Sequence, residues 1–236
     1  MSVNENQYNG DRHNGNQYGD IDDKALIALC TGGDAAAFEA LVYRYEKKIV
    51  AAACRLSGSR EEGEDLAQET FIKAWRALAG YRGQASFGAW LTAILTNLWR
   101  DRLRRHKASQ ISIDEAIEGE EGSIYKQIRD DAPGPEVLTE SAETNEILDR
   151  MIQALKPEFR EALILRDVQG FSYEEVAVIT GSNLGTVKSR INRGRTLMKD
   201  MILSYQEHNP GFFRLKKIRA DKDEAGKTEG GEAREG

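Results

Sequence analysis

Three clusters of side chains in this 236-residue sequence have types and spacings that could do chemistry. In SYEEVAVITGSNLGTVKSRINRGRTLMK, Thr186, Lys188, Ser189, Asn192, Arg193 and Arg195 fall where the second of two short helices would expose them. Their hydroxyls, amide and cationic groups are donors to phosphates and base edges. In YRGQASFGAWLTAILTNLWRDRLRRHK, Ala93, Asn97, Arg100 and Arg104 recur at i, i+4, i+7 and i+11, beside a loop carrying Tyr81 and Arg82. An amide and an aromatic ring next to groups that track a phosphate backbone suit single-stranded nucleic acid. A solvated basic helix end, with Asn97 as a satisfied core amide and Trp75, Trp90 and Trp99 as packing residues, is the plainer alternative. In EDLAQETFIKAW, Asp65, Gln68, Glu69 and Arg76 share one polar helical face. By itself such a face is ordinarily just solvated.

No hydrolytic or metal set accompanies them. His13, His106 and His208 stand apart, and no HExxH, Walker or paired-cysteine spacing occurs. An enzyme acting on nucleic acid would need a base, a nucleophile or a metal cluster. The expectation is therefore no catalytic residue, no metal, no cofactor and no small-molecule substrate. Cys30 and Cys54 have no CxxC partner and read as small buried apolar residues.

The elements that must position these clusters are helices. Asp34 is a candidate N-cap, followed by the apolar stripe Phe38, Leu41, Val42, Tyr45 and Ile49. Ser59 with Glu62 makes a capping box, and Ala67, Phe71, Ala74 and Leu78 form the buried face of the next helix. Ser86 caps a third, with Phe87, Trp90, Leu91, Ile94 and Leu98 inward. Farther on, Ile147, Leu148, Met151, Ile152 and Leu155 form another stripe. Pro157 opens a helix that buries Phe159, Ala162 and Leu163 and stops at Gly170. Ser172 and Glu175 form a second capping box. Gly181 ends that helix, and Ser182 or Asn183 starts the last one. Two helices joined by this turn, with Val176 and Ala177 packed on Val187 and Ile191, make a helix-turn-helix.

The net charge of −6 is unevenly placed. Residues 21–107 carry +3 and residues 147–203 carry +2, whereas residues 108–146 carry −9. The fold class expected is all-α, with two small helical domains, 21–107 and 141–204, joined by a flexible acidic linker, 108–140. Residues 1–20 read as a disordered extension and 205–236 as a charged tail. The linker is expected to lie near the two basic halves and to weaken DNA binding by the free chain. No apolar run is long enough to span a bilayer, and the N-terminus lacks the apolar segment of a signal peptide, so a cytoplasmic protein is expected.

Taken in chain order, the three clusters resemble the extracytoplasmic-function (ECF) sigma factors of the sigma-70 family. DLAQETFIKAW is similar to the polymerase-gripping helix of region 2, and FGAWLTAILTNLWRDRLRRHK to its helix for promoter melting and minus-ten reading. LKPEFREALILRDVQGFSYEEVAVITGSNLGTVKSRINRGR is similar to region 4, which reads the minus-thirty-five element. The resemblance implies that Asp65, Leu66, Gln68 and Glu69 meet the β′ clamp helices of core RNA polymerase, with the β flap a further contact. It implies that Tyr81, Arg82 and the surrounding loop, with Asn97, hold a flipped minus-ten base, and that Arg100, Arg102, Arg104 and Arg105 contact DNA phosphates. Thr186, Lys188, Ser189, Asn192 and Arg193 would face the minus-thirty-five groove. The partners implied are core polymerase, promoter DNA and an anti-sigma factor. A helix-turn-helix repressor would account for the last cluster but not for the first two.

Overall fold

The caps foreseen in the sequence start helices at the expected places. The computed structural model describes residues 18–114 and 140–209, and among these the regular structure is helical, with no strand. Asp34 Oδ1 accepts from the amides of Ala36 and Ala37 and opens α2 (Ala35–Ser57), which closes on the left-handed Gly58 at φ 80°. Ser59 accepts from Glu62 N at the start of α3 (Arg60–Ala77). Ser86 Oγ accepts from Ala89 N at the start of α4 (Phe87–Asp114). One element is unforeseen: α1 (Asp23–Thr31), capped by Asp22, lays Leu26 and Cys30 on α2. α4 also runs through residues 108–114, because no glycine or proline interrupts it there.

In the second half, α5 (Glu140–Ala154) precedes α6 (Pro157–Leu163). A π-helical turn, Ile164–Val168, follows where one continuous α-helix was expected. α7 (Tyr173–Thr180) starts with both halves of the Ser172–Glu175 capping box in place. Gly181, at φ 62°, turns the chain into α8 (Leu184–His208), where Asn183 rather than Ser182 is the N-cap. The expected extension 1–20 is described only from Tyr18 on. Residues 115–139 of the expected linker and 210–236 of the expected tail lie outside the described residues.

α2, α3 and α4 enclose Leu41, Leu56, Leu66, Leu91, Leu95 and Trp99, all buried. Cys30 is buried and Cys54 half-buried; both are free thiols whose pKa burial raises. Gly63 lets α2 and α3 approach closely: a Cβ there would meet Cys54 N, Cα and Sγ at 2.6 Å. Two of those atoms are backbone and cannot rotate away. Gly63→Ala gains up to about 1 kcal/mol of helix propensity, but overpacking costs about 1–3 kcal/mol. The expected outcome is a thermal midpoint lower by about 5 °C. An unchanged or raised midpoint in calorimetry would show that the helices separate freely.

The two halves are not independent beads. Ile152 and Ile164 join the core of the first half, and Ala89 of α4 joins the helix-turn-helix core of Leu165, Val176, Ile179, Val187 and Ile191. Gln153 Nε2 donates to Arg55 O at 2.5 Å, and Arg160 Nη1 to Leu56 O at 3.0 Å, so α5 and α6 satisfy carbonyls at the C-terminal end of α2.

Candidate nucleic-acid and polymerase interface

On α3, Asp65 and Gln68 are exposed and make no side-chain bond among the described residues. Glu69 is tethered, 3.2 Å from Arg102 Nη2 and 3.5 Å from Lys73 Nζ. Leu66 is wholly buried, because it falls on the same stripe as Ala67, Thr70 and Ala74, and it supports the helix from beneath. Beyond Glu69 the exposed Ile72 and Trp75 prolong this surface with apolar area, and Trp75 leans on Phe38 with ring centroids 4.9 Å apart. Trp75 thus packs at the rim of the core rather than within it.

The loop before α4 is held by Tyr81. Its hydroxyl donates to Ala85 O at 2.6 Å, and its ring packs on Phe87 and Trp90 with centroids 5.9 Å and 5.1 Å away. Burial, with Asp23 nearby, raises the Tyr81 pKa. Tyr81, Arg82, Gln84, Trp90 and Ala93 line a pocket of about 220 Å³, and Val178 of α7 lines it as well. Arg82 is exposed. Asn97 is also exposed, one turn beyond Ala93, and does not line this pocket. Gln84 belongs to the loop around Tyr81 and Arg82 that the resemblance implies here, whereas Trp90 was missed; its signal was position, one turn into α4 and directly beside that loop.

The four arginines of α4 differ in what they touch. Arg100 Nη2 pairs with Glu161 Oε2 at 2.7 Å, and its Nη1 donates to Thr180 O at 3.2 Å. Arg102 is turned back onto α3, reaching Glu69 and Glu62 O. Neither offers a free guanidinium in this arrangement. Arg104 and Arg105 are exposed, Arg104 beside Asp101 and Arg105 donating to Asp101 O at 3.4 Å. The row of four arginines thus holds two outward cations and two engaged within the chain.

On α8, Lys188, Ser189, Asn192 and Arg193 are exposed along one side, while Val187 and Ile191 are buried opposite. Thr186 is half-buried; its amide donates to Asn183 Oδ1 at 2.8 Å, and its carbonyl accepts from Ser189 Oγ at 2.9 Å. Arg195, read as a free donor, is paired with Asp167 through two bonds of 2.9 and 2.5 Å. The result is a helix whose outer face near its N-terminus carries two cations, an amide and a hydroxyl, supported by α7. A helix-turn-helix that binds DNA presents such a face to the major groove. Among the described residues no group of His, Cys, Asp and Glu could hold a metal ion, and no helix is long and apolar enough to cross a membrane.

The Sigma-70 region 2 family matches residues 41–109, and the Sigma-70, region 4 family matches residues 145–198. The ECF RNA polymerase sigma-E factor of Salmonella typhimurium is 37% identical over 186 residues, covering 77% of this chain and 95% of that protein. The chain belongs to the ECF sigma factors of the sigma-70 family. The ECF RNA polymerase sigma factor SigE of Mycolicibacterium smegmatis is 36% identical over 177 residues, 74% of this chain and 66% of that one. Among solved structures, the sigma factor RpoE in complex with the anti-sigma factor NepR from Bartonella quintana matches with a TM-score of 0.54 and 27% identity, over 70% of this chain and 96% of that one. In this sigma factor, α2 to α4 therefore carry region 2, and α5 to α8 carry region 4. Sigma factors are not in general an enzyme family.

Proposed function

We propose that this sigma factor binds core RNA polymerase, directs it to its promoters and promotes DNA melting, in the cytoplasm and under the control of an anti-sigma factor. It contributes no catalytic group, since the polymerase performs the chemistry. Residues 21–107 act as the region 2 unit and 141–204 as the region 4 unit. The observation that carries the reading is the coexistence of two surfaces. A helix-turn-helix presents Lys188, Ser189, Asn192 and Arg193 outward, and an aromatic pocket that Arg82 also lines sits at the start of α4. A repressor needs only the first; opening DNA needs the second, because an unstacked base must be held somewhere. Asp65, Gln68 and Glu69 provide the polymerase face, with Ile72 and Trp75 extending it. Arg82, Tyr81 and Trp90 form the base pocket, Asn97 stands beside it, and Arg104 and Arg105 approach phosphates.

Anti-sigma control is supported by the similarity to a sigma factor solved with its anti-sigma factor bound. The deciding experiment is capture of purified core polymerase by the full chain without DNA, followed by run-off transcription on genomic fragments. Binding to core and discrete transcripts are expected. A chain that binds duplex DNA but not core would be a repressor instead.

A further inference from the structure

We propose that residues 212–215 of this chain turn back from the end of α8 and pack into an apolar groove between α5 and α8, so that region 4 carries its own cover. The inference goes beyond the proposed function and does not depend on it.

The groove runs between the first and last helices of the second half. Ile147, Met151 and Ala154 recur at i, i+4 and i+7 along one face of α5, and Met201 and Tyr205 stand one turn apart on α8. The space between them is about 390 Å³. The exposed Leu197, one turn before Met201, continues the apolar strip along α8. A cavity of about 150 Å³ holds a benzene ring, so this groove has room for two large apolar side chains. Two of its walls are methionines, whose flexible thioethers adapt to an incoming ring.

The occupant follows from what comes next in the chain. α8 ends at His208, which itself lines the groove, so residue 210 leaves from the groove's mouth. Residues 210–236 lie beyond the region 4 match, which stops at residue 198. They open with Pro210-Gly211 after Asn209, a sequence suited to reversing the chain. Phe212, Phe213, Leu215 and Ile218 follow at once and are the large apolar residues of this stretch. From His208 back to Met201 is about 10 Å of helix, a distance that about four extended residues cover. Charge agrees with the fit. Residues 210–219 carry +4, whereas residues 143–151 and 200–208 carry −2 each, with Glu143, Glu146, Asp200 and Glu207 exposed. Arg150, a cation on the groove, already stands 3.7 Å from Glu146. A tether this short keeps the segment at an effective concentration of about millimolar, so a contact too weak to hold a separate molecule still fills the groove.

Two readouts on the full chain test this. In methionine-methyl NMR, the rings of Phe212 and Phe213 should shift the signals of Met151 and Met201. Phe212→Ser with Phe213→Ser should therefore move both signals and leave in place that of Met198, which packs on the core of the first half. Both changes lie outside the described helices, so the fold should survive them. The second readout is trypsin cleavage after Arg214, followed by mass spectrometry, which tracks the undocked fraction. Ala154→Trp fills the groove from an exposed position and leaves the cleaved sequence unaltered. It is expected to speed that cleavage about tenfold, as the docked fraction falls from about nine-tenths to near zero. If the Met151 and Met201 signals stay put, or Ala154→Trp is cleaved no faster than the parent, docking of the segment is overturned. If protection in the parent fades on dilution, a second copy fills the groove, and the assignment to the chain's own segment is overturned. Each of these failures is separate from that of the proposed function, which core-polymerase capture decides.

Discussion

Asp65→Lys combined with Gln68→Ala is expected to weaken binding to core polymerase about 100-fold. Breaking a charge pair that becomes buried on association costs about 2–5 kcal/mol, and reversal adds repulsion to that loss. The choice of these two residues follows from their surroundings. Asp65 and Gln68 are exposed and make no side-chain bond among the described residues, so changing them leaves α3 intact. Glu69 is a worse probe, because Glu69→Lys would also break its bonds to Arg102 and Lys73 and loosen α3 from α4. Leu66 is worse still, since its truncation would open a cavity in the core. The measurement is titration of labelled full chain with core enzyme in solution, alongside thermal unfolding. A dissociation constant within about twofold of the parent, with unchanged stability, would remove α3 from the polymerase interface; the twofold limit is equivalent to about 0.4 kcal/mol.

The sequence makes most of the helices legible because helix signals are local. Asp34, Ser59, Ser86, Ser172 and Asn183 each cap the helix that follows, and each cap is read from a few neighbouring residues. The buried stripes on α2, α4 and α5 follow from period alone. The helix-turn-helix is equally local, and its outward residues fall where spacing predicts. α1 escaped because nine residues hold too few periods to stand out, although Asp22 ahead of Leu26 and Cys30 was a usable sign.

Long-range pairing is what spacing does not encode. Arg100 reads as a phosphate ligand by its place in a basic row, yet its partner Glu161 lies 61 residues away. Arg102 and Arg195 are likewise claimed by Glu69 and Asp167, 33 and 28 residues distant. A sequence displays each charge but not its counter-charge. One sign was available at Glu161, an acid directly before the apolar Ala162 and Leu163 in a short helix that buries all three. An ionisable residue in such a run needs a partner from elsewhere, and a spare arginine on another helix is the natural candidate.

The division between melting and reading should separate four substitutions on two templates. Arg82→Ala and Asn97→Ala act at or beside the α4 pocket; both residues are exposed, so the loop held by Tyr81 should survive their loss. Trp90→Ala is less informative, because Trp90 also supports the Tyr81 and Phe87 rings. Contacts to an unstacked base are worth about 1–3 kcal/mol, so each change should lower open-complex formation on duplex promoter by about 10- to 100-fold. A template with the minus-ten region already opened as a mismatch bubble spares the cost of unpairing, and there the defect should shrink. Lys188→Ala and Arg193→Ala act on the exposed face of α8, far along the chain from that pocket. If Arg193 reads a base edge, its loss costs about 1–3 kcal/mol and relaxes preference at one upstream position. If Lys188 meets a phosphate, its loss weakens all sequences alike and lowers the salt slope by about one. Both α8 defects should be the same on duplex and bubble, since the upstream element is double-stranded in each. Open-complex formation followed by permanganate footprinting, with affinity measured across a salt series, distinguishes the pairs. Four equal defects on both templates would mean that the α4 pocket takes no flipped base, and that region 2 binds promoter DNA only through its backbone.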